Sequence, residues 1–372
     1  MRIVIDARMY GLEHAGIGRY VSNLINSLEK IDKNNDYFLL LRKKYFDSLK
    51  IKEHNFHKIL ADYSHYSLRE QILLPFKLLK LNPDLVHFPH FNAPFLWWGN
   101  QIVTIHDLIK NVSKGSQTTT RNQSIYWLKY FGYRLLLLIV ILRAKKILVP
   151  SNWVKKSLAE RYRVGKEKVI VTYEGVDHNV FSPEINNDVK VLENLKIKKP
   201  YLIFTGSLYP HKNVVSLVEA AKILNMNLVI SSARNIFMER FKENVIKMGA
   251  GGLVNFVGFV PDDQLSVLYR EAVAFVFPSF VEGFGLPGLE AMAAGCSVIA
   301  SNSSCLPEIY GESAIYFDPK KTEELVGQIK KLHTDPELRK ALIAKGKKQA
   351  KRYSWDEMAR KTQILYETCA SL

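Results

Sequence analysis

Short apolar runs recur along the chain, most of them followed by a longer stretch of mixed apolar and charged positions. In the first half, Arg2 to Ala7, Tyr37 to Leu41, Leu85 to Phe88, Ile102 to Ile105, Ile147 to Pro150 and Val169 to Thr172 read as strands. Such runs, bounded by turn residues, are the pattern of strands buried on both faces of a parallel sheet. The periodicity predicts helices from about Arg19 to Lys30 and from Tyr126 to Arg143, and Ser151 is a good cap for a third. In the second half, Tyr201 to Gly206, Asn227 to Ser231, Val254 to Val257, Ala272 to Phe277 and Ser297 to Ala300 read as strands. Helices are expected from Asn213 to about Leu224, after Asp262 as a cap, from Gly288 to Ala294, from Pro336 to Arg352 behind Asp335, and from Trp355 to Ala370. Residues 42–80 show no clear period, 110–124 read as a mobile polar loop, 182–200 as a polar, basic linker, and Ser301 to Ile309 as a loop. Repeated strand–helix alternation makes an α/β protein with two doubly wound parallel sheets.

The stretch from Phe277 to Glu290 carries the densest chemistry. It puts Glu282-Gly283-Phe284-Gly285-Leu286-Pro287 at the carboxyl end of a strand, where ligands bind in open α/β sheets. Pro287 suits a first helical turn, since its missing N–H has no helical partner there. Gly283 and Gly285 leave backbone N–H groups bare, and a helix start favours an anion such as phosphate. Glu282 on the loop and Glu290 on the helix offer two carboxylates to hydroxyls beside that anion. A second glycine stretch, Gly16-Ile17-Gly18, follows the first strand but lacks the third glycine of the dinucleotide fingerprint, so an NAD-dependent oxidoreductase is a remote alternative.

The spacing of Glu282 and Glu290, with Glu-Gly-Phe-Gly-Leu-Pro and Glu-Ala-Met-Ala-Ala-Gly around them, resembles the signature of retaining glycosyltransferases of family 4. The resemblance extends from Gly16 to about Trp355. It implies the GT-B fold: an acceptor-binding Rossmann-like domain over 1–183, a nucleotide-sugar-binding one over 184–354, and a helix over 355–372 crossing back to the first. The donor is then expected between the two domains. The implied reaction moves a sugar from a nucleotide-sugar to a hydroxyl acceptor. By the resemblance, Lys212 binds the diphosphate, and Glu282 binds a sugar hydroxyl and steadies the positive anomeric centre. Backbone of Gly283, Phe284, Gly285 and Leu286 meets the sugar and phosphate, Glu290 holds the ribose, and His106 faces the sugar. Gly16 and Gly18 give the donor close approach. His87 and His90 are further candidates to line the acceptor site, and Phe259 and Val260 to flank the base. Many members have Gly-Arg where this chain has Gly206-Ser207, and Arg-Lys where it has His211-Lys212, so two family cations are missing; Ser207 stands at the donor loop, and Arg234 is a substitute cation. Likeness around Tyr209-Pro210-His211-Lys212-Asn213 favours GDP-mannose, with UDP-glucose, UDP-N-acetylglucosamine and dTDP-rhamnose open. A catalytically dead scaffold is disfavoured by the intact Lys212, Glu282, Glu290 and His106. No metal or other cofactor is expected, because the chain has no Asp-x-Asp.

Charge adds a partner. The net charge is +16, and residues 1–185 hold 28 Lys and Arg against 16 Asp and Glu. Between Leu85 and Ala159 the one acidic residue is Asp107. Such a bias calls for an anionic partner. No nucleic-acid motif is present, so an anionic membrane or a lipid-diphosphate acceptor is expected, with Trp127, Tyr130, Phe131 and Tyr133 among the basic residues of 110–146 as the docking stretch. The apolar run Leu135 to Leu142 is too short to span a bilayer and reads as a helix buried against a sheet. Three cysteines without metal spacing, and a strand starting at Arg2, predict a cytoplasmic enzyme, peripheral on the inner face of the membrane.

Overall fold

The computed structural model describes residues 1–109, 123–181, 188–232 and 236–370, with the side chains of 12, 15, 123–126, 188 and 236 left aside. Arg234, most of the polar stretch 110–124 and the first part of the expected linker therefore lie outside the described residues. The chain divides into two compact units: Met1–Leu108, Thr119–Gly175 and Ser354–Leu372 form one, and Val176–Tyr353 builds the other.

The first unit holds a parallel sheet of β1 (Arg2–Ile5), β2 (Asp36–Leu41), β3 (Phe56–Leu60), β4 (Leu85–Phe88), β5 (Gln101–Thr104), β6 (Lys146–Val149) and β7 (Val169–Val171), in the order β3-β2-β1-β4-β5-β6-β7. Val4 of β1 sits opposite Phe38 on one side and Val86 on the other. Ile3, Val4 and Ile5 are fully buried, as central parallel strands covered on both faces must be. Strand order reverses between β1 and β4. The helix Trp355–Ala370 closes this unit, packing on the helix Ala15–Ile31 and on β4. Ser27 Oγ donates to Asp356 across that seam at 2.6 Å, and Lys145 Nζ donates to the Cys369 carbonyl at 2.9 Å.

The second unit repeats the scheme with β8 (Tyr201–Thr205), β9 (Asn227–Ser231), β10 (Val254–Gly258), β11 (Ala274–Phe277), β12 (Val298–Ser301) and β13 (Ala314–Phe317), in the order β10-β9-β8-β11-β12-β13. Its reversal lies between β8 and β11, and the carboxyl ends of those two strands open into the segments bearing Lys212 and Glu282.

Several expectations change. The first helix starts at Ala15, so Gly16 and Gly18 lie in its first turn rather than in a loop before it. Residues 42–80 hold helix Lys43–Ser48, strand β3 and helix Leu68–Leu81; their period is blurred because the last helix is apolar on exposed as well as buried positions and contains Pro75. Helix Asp188–Asn194 lies within the expected linker, and Leu306–Tyr310 within the expected loop. Asp262 is a first-turn residue rather than a cap, the cap position falling on Pro261. The run Leu135 to Leu142 is half-buried: Leu137, Val140 and Ile141 enter the core while Leu135, Leu138 and Leu142 are exposed.

Candidate active site

In the second unit, β8 is followed by Gly206, whose φ of +142° suits a residue without Cβ, and the chain reaches Lys212 through the turn Pro210–Lys212. Across the reversal, β11 leads into Ser279 to Gly285 and the helix Leu286–Ala293. The two loops are tied by a backbone bond from Phe280 N–H to the His211 carbonyl, 2.8 Å. Lys212 Nζ donates to Glu282 Oε1 at 2.6 Å, with both side chains largely buried, and the ammonium lies 5.3 Å from the Phe277 ring centre. Glu282 is held from both sides: its N–H donates to Ser304 Oγ at 3.0 Å, and its carbonyl accepts from Cys305 Sγ at 3.4 Å.

The helix that follows begins under steric control. Gly285 has φ +96°, and a Cβ there would meet Tyr310 Oη at 2.6 Å. Tyr310 Oη donates to the Gly285 carbonyl at 2.5 Å, and a Cβ on Gly288 would meet the same oxygen at 2.2 Å. Tyr310 thus packs into space that only glycines leave, and it fixes the loop-to-helix turn. Glu290 lies on this helix and is buried, as is Phe284, whose ring meets Tyr353 edge-on at 5.6 Å. Ser207 is half-buried just beyond Gly206. Val260 is buried, and Phe259 is 62% exposed. Lys212, Glu282 and the 283–286 loop therefore share one end of the second sheet.

In the first unit, His106 follows β5 and is nearly buried. Its Nδ1 lies 3.1 Å from Glu174 Oε1, and its Nε2 lies 2.9 Å from the Pro89 carbonyl. Burial works to lower its pKa, but the hydrogen bond and charge of Glu174 outweigh that and hold it above the ordinary histidine value. Tyr20 stacks edge-on against His106, ring centres 4.7 Å apart, and its hydroxyl lies 3.2 Å from Thr104 Oγ1. The helix bearing Gly16 and Gly18 is positioned against His106 in this way. The two glycines differ: a Cβ on Gly18 would overlap the Gly11 carbonyl oxygen at 1.9 Å, whereas one on Gly16 would meet nothing within 4 Å. Gly18 is needed for packing, and Gly16 leaves clear space.

His87 does not line any opening. It is fully buried on β4, with Nδ1 2.7 Å from Tyr366 Oη and Nε2 2.8 Å from Thr104 Oγ1, because the last helix covers that face of the sheet. Burial pushes its pKa down to about 3, so it is a neutral core hydrogen-bonder. His90 does line a small cavity at the β1–β4 reversal, with Asp6, Met9, His65, Pro89 and Asn92.

Sequence reasoning missed the charges beneath that cavity. Arg8, with no exposed side chain, donates to Asp6 through Nε (2.7 Å) and Nη2 (2.6 Å), and to Glu70 Oε1 through Nη2 (2.7 Å). Burial alone would raise the Asp6 pKa, but the two-point contact with Arg8 lowers it. Glu70 accepts one bond from Arg8, beside others from Asn92 Nδ2 and the Tyr66 N–H, and stays raised by burial. Burial also pushes His65 down to about 4. The clue in the sequence was Asp6-Ala7-Arg8 at the end of a buried strand, where charges need partners. Glu174 and Tyr20, the partners of His106, lie 68 residues after it and on the helix Ala15–Ile31, so no local pattern in the sequence links them to it.

Comparison with known proteins gives two family matches: residues 188–349 match the family described as Glycosyl transferases group 1, and 15–180 match Glycosyltransferase Family 4. The chain is 30% identical over 295 residues to the O-antigen chain mannosyltransferase RfbU of Salmonella typhimurium, covering 79% of this chain and 75% of that one. It is 25% identical over 382 residues to the serotype-specific mannosyltransferase WbdA of Escherichia coli, covering 94% of this chain but 45% of that longer protein. Among solved structures, sucrose-phosphate synthase from Thermosynechococcus elongatus matches with TM-score 0.80 at 20% identity, over 99% of this chain and 98% of that one. Anabaena HepE in complex with UDP-glucose matches with TM-score 0.77 at 16% identity, over the whole of both chains. These structural likenesses concern the fold, two Rossmann-like α/β domains of the GT-B kind.

Proposed function

The chain belongs to glycosyltransferase family 4, and from that premise we propose that it is a retaining, metal-independent mannosyltransferase. In this reading it moves mannose from GDP-mannose to a hydroxyl of a glycan or lipid-linked acceptor in cell-surface polysaccharide or lipopolysaccharide assembly. The observation that carries the chemistry is the Lys212–Glu282 pair at the β8–β11 reversal, beside the start of the helix Leu286–Ala293. The mannose assignment is supported by the names of relatives such as RfbU and WbdA.

The reaction breaks the bond between the anomeric carbon and a diphosphate oxygen. The acceptor oxygen bonds to that carbon on the same face, and the acceptor's proton leaves with the nucleoside diphosphate. Negative charge grows on the leaving diphosphate and positive charge on the anomeric carbon. Lys212 and the helix start meet the first, and the Glu282 carboxylate steadies the second. Glu290 accepts from the ribose hydroxyls. The Glu282 carboxylate pairs Lys212 and orients the cation at the end of the sheet. Glu174 keeps His106 protonated toward higher pH, with one ring N–H on that carboxylate and the other on the Pro89 carbonyl. UDP-glucose, UDP-N-acetylglucosamine and dTDP-rhamnose are the competing donors. The enzyme works in the cytoplasm, in peripheral contact with an anionic membrane through its first unit.

The test is a thermal-shift screen over nucleotide-sugars, followed by donor hydrolysis with and without EDTA. GDP-mannose is expected to raise the melting temperature with concentration, since a ligand of the folded state stabilises it by mass action. Hydrolysis is expected to survive chelation. A shift with another nucleotide-sugar alone reassigns the donor, and activity restored only by magnesium or manganese removes the metal-free mechanism.

A further inference from the structure

The helix Gln123–Arg143 is apolar on two sides. Leu137, Val140 and Ile141 lie in the first unit's core, with Leu74 and Leu78 of the helix Leu68–Leu81. On its other side Phe131, Leu135, Leu138 and Leu142 recur at helical spacing, and all are exposed. A helix apolar all round is ordinarily covered all round. The neighbouring helix repeats the pattern, with Leu68, Ile72, Phe76 and Leu79 exposed along one face. The loop from Phe95 to Trp98 joins the two faces. Phe95 N–H donates to Gln71 Oε1 at 2.9 Å, and Arg143 donates to the Phe95 carbonyl and lies 3.5 Å over the Trp98 ring. Trp98 itself is 77% exposed.

The charges on this surface have one sign. Among the described residues of the two helices and the loop, the charged side chains reaching solvent are Arg69, Lys77, Lys80, Lys129, Arg134 and Arg143. The single acid, Glu70, is fully buried on Arg8. No helix among the described residues is long and apolar enough to cross a membrane.

We propose that this two-helix face, with Trp98 between its halves, lies in the surface of an anionic lipid bilayer, its apolar side chains seated at the headgroup boundary and its cations on the phosphates. A second copy of the chain is the poorer occupant, because a two-fold interface sets the patch against itself and brings cation against cation. The inference deepens the membrane contact of the proposed function and rests on that reading for its purpose. It also changes the expected physics. Attraction between charges fades once salt shortens its range to about 3 Å at 1 M, whereas buried apolar area is not screened, so part of the binding persists at high salt.

The experiment is co-sedimentation of the full chain with phosphatidylglycerol-rich and with pure phosphatidylcholine vesicles, at low salt and at about 1 M. Binding is expected to be strongest on anionic vesicles at low salt, with a measurable remainder at high salt. The double variant Phe76→Glu, Leu138→Glu changes exposed positions and is expected to partition at least about tenfold more weakly. Its donor hydrolysis without vesicles should equal that of the wild type, so a failure of catalysis and a failure of docking are read separately. As a second readout, brominated lipid is expected to quench tryptophan fluorescence, and Trp98→Phe to lower that quench, the remainder coming from Trp127, exposed on the helix Gln123–Arg143. Three results overturn the proposal: no wild-type binding to anionic vesicles at low salt, equal binding by the double variant, or a wild-type dimer that the double variant splits while vesicle binding is unchanged.

Discussion

In the proposed reaction Lys212, Glu282 and Glu290 divide the work on one donor, and the division is measurable. Glu282→Ala is expected to lower turnover by about 10²–10³-fold, the scale of losing one preorganised electrostatic group. Free nucleoside diphosphate should still bind, because the substitution releases Lys212 from its carboxylate. Glu290→Ala is expected to act on the nucleotide itself, weakening its binding about tenfold or more through the loss of hydrogen bonds to a charged acceptor. Calorimetric titration with free nucleoside diphosphate separates the two; equal affinity in wild type and Glu290→Ala removes the ribose role. His106 gives a pH signature. Its folded pKa is raised, so the stabilisation from Glu174 is fully present below the unfolded value of about 6.5 and is lost as pH climbs through the folded value. Glu174→Gln should therefore lower the melting temperature most on the acidic side of that window, and the difference should shrink on the alkaline side. A difference independent of pH means that the pair is held without charge.

At the scale of elements, the helix Leu286–Ala293 and the helix Ala15–Ile31 both begin with glycines, for opposite reasons. Gly285→Ala forces a left-handed backbone onto a residue with Cβ and drives that carbon against Tyr310, so a loss of about 1–3 kcal/mol is expected, seen as a lower urea midpoint at unchanged slope. Gly16→Ala meets no neighbour and sits in a helix, where alanine is the better former by up to about 1 kcal/mol. It should leave stability intact or raise it, and any loss of activity then reports a ligand close to that backbone. The elements around Glu282 were legible in the sequence because strand, glycines, Pro287 and helix follow one another without interruption. Lys212 was legible by resemblance, and its ion pair was not, since the two partners lie 70 residues apart. The helix Leu68–Leu81 was hidden for a different reason. Apolar residues on its uncovered face cancel the period that a half-buried helix displays. His87 misled because a strand's alternation does not say which face a returning helix will cover.

At the scale of the whole molecule, the first unit is discontinuous in sequence: its last helix, Trp355–Ala370, is separated from Gly175 by the entire second unit. That helix supplies Tyr366 to His87 and the carbonyl that Lys145 reaches. During synthesis at about 5–20 residues per second, the first sheet emerges and then waits about ten to forty seconds for its final cover. Through that interval β4 and the helix Ala15–Ile31 show water an apolar seam that the finished protein hides. Chains stalled on the ribosome near residue 340 should be clipped by protease within the first 175 residues, and release of the full chain should bring protection. The same arrangement makes the second unit the earlier one to finish, although it is made later, so the part proposed to grip the nucleotide should be folded before the part that opens the chain.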